Sequence, residues 1–272
     1  MKTFAGKPLA HPLVMGIVNA TPDSFSDGGE AFAFSDALAR AMGMLENGAD
    51  IIDVGGESTR PGAAPVSSED EIARTVPVIE RLAGEGACVS IDTRHAEVMQ
   101  AALDAGASII NDVSALSGEG SMAVAAGSSA DVVLMHMQGE PGTMQADPTY
   151  ADAPGEVLAY LNERVAACEA AGIDRARIAV DPGIGFGKTV DHNVQILAHL
   201  DLYRDLGVAL MLGASRKSFI GALTGEADPQ RRVPGSIAAA LAGVAQGANI
   251  LRVHDVAETV QALKVWRAIQ NT

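Results

Sequence analysis

Aromatic residues make up only 4% of this 272-residue chain, so its core must be built from Ala, Val, Ile and Leu. Cysteine is nearly absent. Cys88 sits in an apolar strand-like run and Cys168 in an Ala-rich helical one, with no C-x-x-C spacing, and both read as buried free thiols in a reducing compartment rather than as a disulfide or metal pair. Basic residues are few as well: 19 Lys and Arg face 34 Asp and Glu, a net charge of −15. Such a surface repels nucleic acid and anionic membranes, which argues against either as a partner. No apolar run reaches the roughly 18 residues of a membrane span, and the opening segment MKTFAGKPLAHP lacks the apolar stretch of a signal peptide. The expected location is cytoplasmic.

Familiar catalytic signatures are missing too. No His/Cys/Glu set has zinc-site spacing, with His136, His192 and His199 scattered, and no nucleophile–His–acid triad is visible. The segment Gly183-Ile184-Gly185-Phe186-Gly187-Lys188-Thr189 ends like a P-loop, but Pro182 stands where the first Gly belongs. It also fails as a dinucleotide fingerprint, because Lys188 occupies the place of the third Gly. It reads as a flexible loop near a ligand.

What the chain does have is 48% hydrophobic residues, 29 glycines and a repeated junction. Gly48-Ala49-Asp50-Ile51-Ile52, Gly106-Ala107-Ser108-Ile109-Ile110 and Gly247-Ala248-Asn249-Ile250-Leu251 each close a helical pattern at Gly and pass at once into a β-branched run. Eight strand candidates follow: 13–18, 50–55, 89–92, 108–112, 131–136, 177–181, 208–212 and 249–253. Helical stretches are expected over 35–47, 68–83, 96–105, 156–171, 193–206, 234–246 and 255–269. Without a composition shift or linker, residues 1–272 read as one (β/α)8 TIM-barrel domain, of a length normal for that fold. An open doubly wound sheet is the alternative.

Polar residues collect just after the strands. The first leads into Asn19 and the second into Glu57-Ser58-Thr59-Arg60-Pro61. Asp92, Asn111 and His136 end the third, fourth and fifth, and Asp181 ends the sixth. Ser215-Arg216-Lys217 follows the seventh, and Arg252-Val253-His254-Asp255 closes the eighth. In a parallel barrel all these ends meet on one rim, where barrel enzymes place their active sites. Asp112 and Asp255 read more simply as helix caps, whereas Asp92 and Asp181 point into the mouth. Asp92, Asp181 and Asn111 suit a flat, nitrogen-rich heterocycle whose paired N–H groups meet a carboxylate at two points. Arg216, Lys217, Arg252 and His254 form a cationic group where barrels often hold phosphate. Lys217 could also be a solvated loop lysine or a Schiff-base lysine, although its neighbour Arg216 favours electrostatic work. Displacement of a good leaving group is the chemistry left by these absences, since positioning and electrostatics then suffice.

Several segments together resemble the dihydropteroate synthase family. They are Asn19-Ala20-Thr21-Pro22-Asp23-Ser24-Phe25-Ser26-Asp27-Gly28-Gly29, Asp53-Val54-Gly55-Gly56-Glu57-Ser58-Thr59-Arg60-Pro61-Gly62, Ser90-Ile91-Asp92-Thr93, Ile110-Asn111-Asp112-Val113, His136-Met137-Gln138-Gly139, Asp181-Pro182-Gly183, Gly213-Ala214-Ser215-Arg216-Lys217-Ser218 and Arg252-Val253-His254-Asp255. The resemblance runs from about residue 13 to 255 in order, Ala20 standing where a bulkier aliphatic residue is usual. It implies a stand-alone bacterial-type transferase joining 6-hydroxymethyl-7,8-dihydropterin pyrophosphate to p-aminobenzoate, with Mg2+ as cofactor, sulfonamides as inhibitors and a homodimer as the assembly. Carried over by resemblance, Asp92, Asn111, Asp181 and Lys217 would bind the pterin, with Arg252 against its face. Asn19, Arg252 and His254 would hold the pyrophosphate, and Asn19 would also meet Mg2+. Phe25, Thr59, Arg60, Pro61, Phe186 and Ser215 would line the p-aminobenzoate pocket. Lys217, Asp92, Asp181 and Arg252 would be the catalytic set. Two alternatives remain: a pterin-binding corrinoid methyltransferase domain, and an inactive pterin-binding paralogue.

Overall fold

The computed structural model describes residues 2–20, 29–57 and 66–270, with side chains from residue 34 in the helix that opens at Gly29. A small antiparallel hairpin, β1 (Thr3–Phe4) and β2 (Lys7–Pro8), comes first. Eight parallel strands follow: β3 (Leu13–Asn19), β4 (Ile51–Gly55), β5 (Val89–Asp92), β6 (Ile109–Asp112), β7 (Asp131–Met135), β8 (Ile178–Asp181), β9 (Ala209–Leu212) and β10 (Ile250–Val253). They pair in sequence order, and β10 closes on β3 through Ile250 opposite Leu13, giving the barrel that the alternation implies and not an open sheet.

Period-two alternation divides each strand between two environments. One set of side chains, including Val14, Ile52, Val54, Ile91, Ile110, Leu134, Val180 and Leu251, faces outward into the layer shared with the helices. The other set, Met15, Ile51, Ile109, Val133, Ala179, Met211 and Ile250, fills the barrel's lower interior with Phe4 of the hairpin beneath it. Two residues further along the same inward face stand Asp53, Asp92, Asn111, Asp181 and Arg252. The interior is therefore apolar at its base and ionic at its mouth.

The covering helices are α1 (Gly29–Glu46), α2 (Ser68–Gly84), α3 (Ala96–Asp104), α4 (Ser121–Gly127), α5 (Ala153–Ala170), α6 (Val190–Ala198), α7 (Ser218–Thr224), α8 (Val233–Ala245) and α9 (Val256–Gln270). The repeated Gly-Ala junction takes the expected form. Gly48, Gly106 and Gly247 have φ of 95°, 103° and 104°, and the next N–H reaches back to close the helix, as from Ala49 to Met44 O at 2.9 Å.

Four features depart from expectation. The helix anticipated over 193–206 starts at Val190 but stops at Ala198, and Leu200–Leu206 forms a 3-10 segment. Gln246 is the cause: its amide accepts from Leu200 N–H (3.0 Å) and donates to Leu197 O (2.7 Å), so a side chain enters the ladder. The seven-residue helices α4 and α7 were not anticipated, being too short for a helical period to register. The hairpin was not anticipated either, its strands holding two residues each. The first helix begins six residues early, at Gly29. Cys88 and Cys168 are free as expected, with Cys168 buried and Cys88 only half-buried. Among the described residues no helix is long and apolar enough to cross a membrane.

Phe4 is 1% exposed and closes the base of the interior cluster. Phe4→Ala should cost about 3–5 kcal/mol of stability, read as a lowered urea midpoint with an unchanged slope; a shift of only a few tenths of a molar would show that the hairpin is not part of the core.

Candidate active site

The mouth is organised around Arg252, carried inward by β10. Its Nε donates to Asp53 Oδ2 at 2.6 Å and its Nη2 to Asp92 Oδ2 at 2.6 Å. Asn111 Nδ2 reaches the same Asp53 oxygen at 3.1 Å. Asp53 is wholly buried and its Oδ1 has no hydrogen-bond partner. One guanidinium thus links three strands, β4, β5 and β10. Burial would lower the Arg252 pKa, but the carboxylates of Asp53 and Asp92 more than offset this, and the group is held firmly charged. Burial raises the Asp92 carboxyl against the pull of Arg252, with Asp53 adding to the rise.

Asp181, at the end of β8, accepts from Gly183 N–H at 2.7 Å, and burial raises its carboxyl as well. Lys217 approaches from the β9–α7 turn. Its Nζ lies 4.0 Å from the centroid of the Phe186 ring, and burial, with Arg252 nearby, lowers it to about 8. The backbone just before it is strained: Arg216 has φ 58°, an unfavourable conformation for a side-chain-bearing residue. That geometry is held by three contacts, Arg216 N–H to Ser236 Oγ (2.8 Å), Arg232 Nη1 to Arg216 O (3.1 Å), and the Arg216 guanidinium on the Asp255 carboxylate (3.0 and 2.5 Å).

These contacts correct part of the sequence reading. Arg216 is bound to Asp255, so it does not join a phosphate-binding cluster, and Asp255 spends its carboxylate on that pair instead of capping α9. His254 is not a cation in the ordinary pH range, because burial and the charge of Arg252 lower it to about 3; its Nδ1 lies 3.0 Å from Ser215 Oγ. Asp112 does not cap the next helix, which opens at Ser121 after Gly120; it holds the turn that follows β6, accepting from Ser114 N–H (2.7 Å) and Leu116 N–H (2.8 Å). The loop after β8 is tightly packed. Gly183 and Gly187 lie at positive φ so close to His136 O and Gln138 O that any Cβ would collide, and Gln145 Nε2 holds Gly185 O at 2.6 Å.

Of the other expected residues, Asn19 ends β3 at the rim, opposite Gly55, and is half-buried. Phe186 is buried against Val113, Met135 and Met144. Phe25, Thr59, Arg60 and Pro61 lie outside the described residues. The root of the second-strand loop is described: Glu57 pairs with Arg94 at 3.1 Å and Gly56 O receives Arg74 Nη1 at 3.0 Å. Two residues escaped the sequence reading. Asp53 lies inside the apolar run Ile51-Ile52-Asp53-Val54, and the available signal was a lone carboxylate on the inward face. Lys188, 3% exposed, was noticed only as a misfit to a glycine motif.

The model for a family described as "Pterin binding enzyme" matches residues 15–254. The dihydropteroate synthase of Neisseria meningitidis serogroup B is 53% identical over 267 residues, covering 96% of this chain and 94% of that one. The chain belongs to the dihydropteroate synthase family. A Xanthomonas albilineans dihydropteroate synthase solved with 4-aminobenzoic acid is 51% identical, with a TM-score of 0.92 over 97% of this chain and 95% of that one. A Yersinia pestis dihydropteroate synthase in a sulfonamide drug complex is 46% identical, with the same TM-score over 97% and 96%. The activity is accordingly that of a pterinylmethyl transferase, forming 7,8-dihydropteroate and pyrophosphate from dihydropterin pyrophosphate and p-aminobenzoate.

The His254 shift has a consequence for acid stability. Above pH 6.5 the imidazole is neutral in both folded and unfolded chains. Below it the unfolded chain takes up a proton that the folded one refuses until about pH 3, so this group's contribution is lost as pH falls between those values. Asp92, raised on folding, works in the opposite direction, so the test is a difference. His254→Asn should lower the slope of the unfolding free energy against pH between pH 6.5 and 4, relative to wild type, by up to about 1.4 kcal/mol per pH unit. Parallel curves for variant and wild type would show the imidazole to be solvated.

Proposed function

We propose that the charged floor of this barrel carries the condensation by positioning and electrostatics alone. The reading rests chiefly on the Asp53–Arg252–Asp92 bridge with Asn111 beside it, which turns fixed donors and acceptors towards the mouth. Asp181 and Asp92 offer acceptors for the paired N–H groups of the pterin edge, and Asn111 and Lys217 supply donors to its ring carbonyl and nitrogen. Arg252 presents its guanidinium plane to the ring face. Asn19, Arg252 and the neutral His254 meet the pyrophosphate. Phe186 and Ser215, with Phe25, Thr59, Arg60 and Pro61, form the arylamine pocket.

Reaction begins as the bond from the exocyclic methylene to pyrophosphate oxygen breaks. The electron-rich dihydropterin delocalises the developing positive charge, and the carboxylates of Asp92 and Asp181 stabilise it from below. The p-aminobenzoate nitrogen then bonds to the methylene and loses its proton afterwards, so no strong base is required. That agrees with a site whose lysine and carboxylates act through charge and hydrogen bonding.

Arg252 is already paired with Asp53 and Asp92, so a cation arriving with the pyrophosphate would add to the neutralisation of the leaving group. Among the described residues no cluster of His, Cys, Asp and Glu could hold a metal. Mg2+ commonly uses one or two protein oxygens and fills its shell with phosphate oxygens and water. Asn19 would supply the protein oxygen, and the ion would stabilise charge on the departing pyrophosphate. Sulfonamides, found on the Yersinia pestis relative, are expected to compete for the p-aminobenzoate pocket. A cytoplasmic homodimer is the expected setting.

The deciding assay supplies dihydropterin pyrophosphate, p-aminobenzoate and Mg2+ and measures pyrophosphate release. Release should depend on p-aminobenzoate and fall when a sulfonamide is added; release indifferent to both would overturn the reading. In the same assay Lys217→Ala should lower kcat by at least about a hundredfold while leaving the thermal midpoint unchanged or raised, because a partly neutralised buried ammonium is costly to fold. Near-normal turnover would remove Lys217 from the proposed set.

A further inference from the structure

The strongest group that this mechanism leaves unused is Lys188. It is 3% exposed, and its ammonium has three acceptors: His136 Nδ1 at 2.9 Å, Phe186 O at 3.0 Å and His136 O at 3.4 Å. All three are uncharged. A buried ammonium without a carboxylate in contact carries a desolvation penalty that a methionine of similar length would avoid. Burial lowers it to about 7. The contacts persist in either protonation state, because a neutral amine still donates to the two carbonyls and accepts from the Nδ1–H tautomer of His136.

Those contacts fasten two loops together. His136 follows β7, and its ring packs edge-on against Tyr160 with centroids 4.9 Å apart. Phe186 and Lys188 lie on the loop after β8, whose other ties include Tyr150 Oη to Gly187 O (2.9 Å), Gln145 Nε2 to Gly185 O (2.6 Å) and Gly185 N–H to Asn193 Oδ1 (2.7 Å). Lys188 is the tie attached to Phe186 itself, through its carbonyl. On its other side Phe186 supports the Lys217 ammonium at 4.0 Å.

We propose that Lys188 is a positioning residue for the arylamine substrate: by joining Phe186 O to His136, its side chain fixes the Phe186 ring as a wall of the p-aminobenzoate pocket. This rests on the assignment of Phe186 to that pocket.

The test is steady-state kinetics with each substrate varied. Lys188→Met should raise KM for p-aminobenzoate about tenfold or more while KM for dihydropterin pyrophosphate stays within about twofold. A general loss of stability would not separate the two constants. His136→Leu, which removes the Nδ1 acceptor, should give the same selective rise and keeps the proposal testable if Lys188→Met does not fold. His136→Asn, which leaves an acceptor near that position, should recover most of the lost affinity. Phe186→Ala separates the two levels of inference. If it leaves KM for p-aminobenzoate unchanged, the assignment of Phe186 fails. If it raises that constant while Lys188→Met and His136→Leu do not, or while they raise both constants equally, the positioning role of Lys188 is overturned.

Discussion

A guanidinium inside a barrel must be paired, and most of the mouth's architecture follows from how Arg252 is paired. Its planar fork fixes the directions of its donors, so two carboxylates from different strands must stand where those donors point. Asp53 and Asp92 do so at 2.6 Å each, and Asn111 joins the same Asp53 oxygen from a third strand. Removing Arg252 would leave the wholly buried Asp53 without its counter-charge, where the penalty is several kcal/mol. The substrate therefore meets a floor whose polar atoms are oriented before it arrives. Such preorganisation is most effective when charge develops without proton transfer.

The lower interior makes that arrangement affordable in stability. Met15, Ile51, Ile109, Val133, Met211 and Ile250 pack over Phe4 and bury a continuous apolar layer directly beneath the ions. Because successive inward side chains on a strand are two residues apart, one step along β4, β6, β8 and β10 exchanges that layer for Asp53, Asn111, Asp181 and Arg252. The strands thus supply both the cohesion of the barrel and the polarity of its mouth, and the boundary between the two lies within the sheet itself. Loops contribute differently. The β9–α7 turn delivers Lys217 only because a strained Arg216 is held by Asp255, Ser236 and Arg232.

Strands and Gly-Ala junctions were legible in the sequence because each depends on local chemistry: β-branched runs, period two, and a left-handed residue after a helix. The rim was legible because parallel strands bring their ends together whatever lies between. What escaped was decided across the fold. Nothing near residue 199 announces the break after α6, since the interrupting amide belongs to Gln246. Asp53 is hidden inside an apolar run, and its importance is apparent only when Arg252, 199 positions away, is seen on it. Arg216 and His254 looked like cations in sequence; a carboxylate neutralises the first and burial discharges the second.

That last correction narrows the electrostatics of the mouth. With Arg216 and His254 removed from the count, positive charge at the rim among the described residues rests on Arg252 and Lys217, and Arg252 is already held by two carboxylates. A polyanionic tail that meets Arg252 would either share it with those carboxylates or displace an existing pairing. Displacement is disfavoured, because Asp53 and Asp92 would be left buried and unpaired. On the proposed assignment Arg252 would therefore act on the phosphate end while still oriented by Asp53 and Asp92, so one fixed guanidinium would serve both the ring and the leaving group.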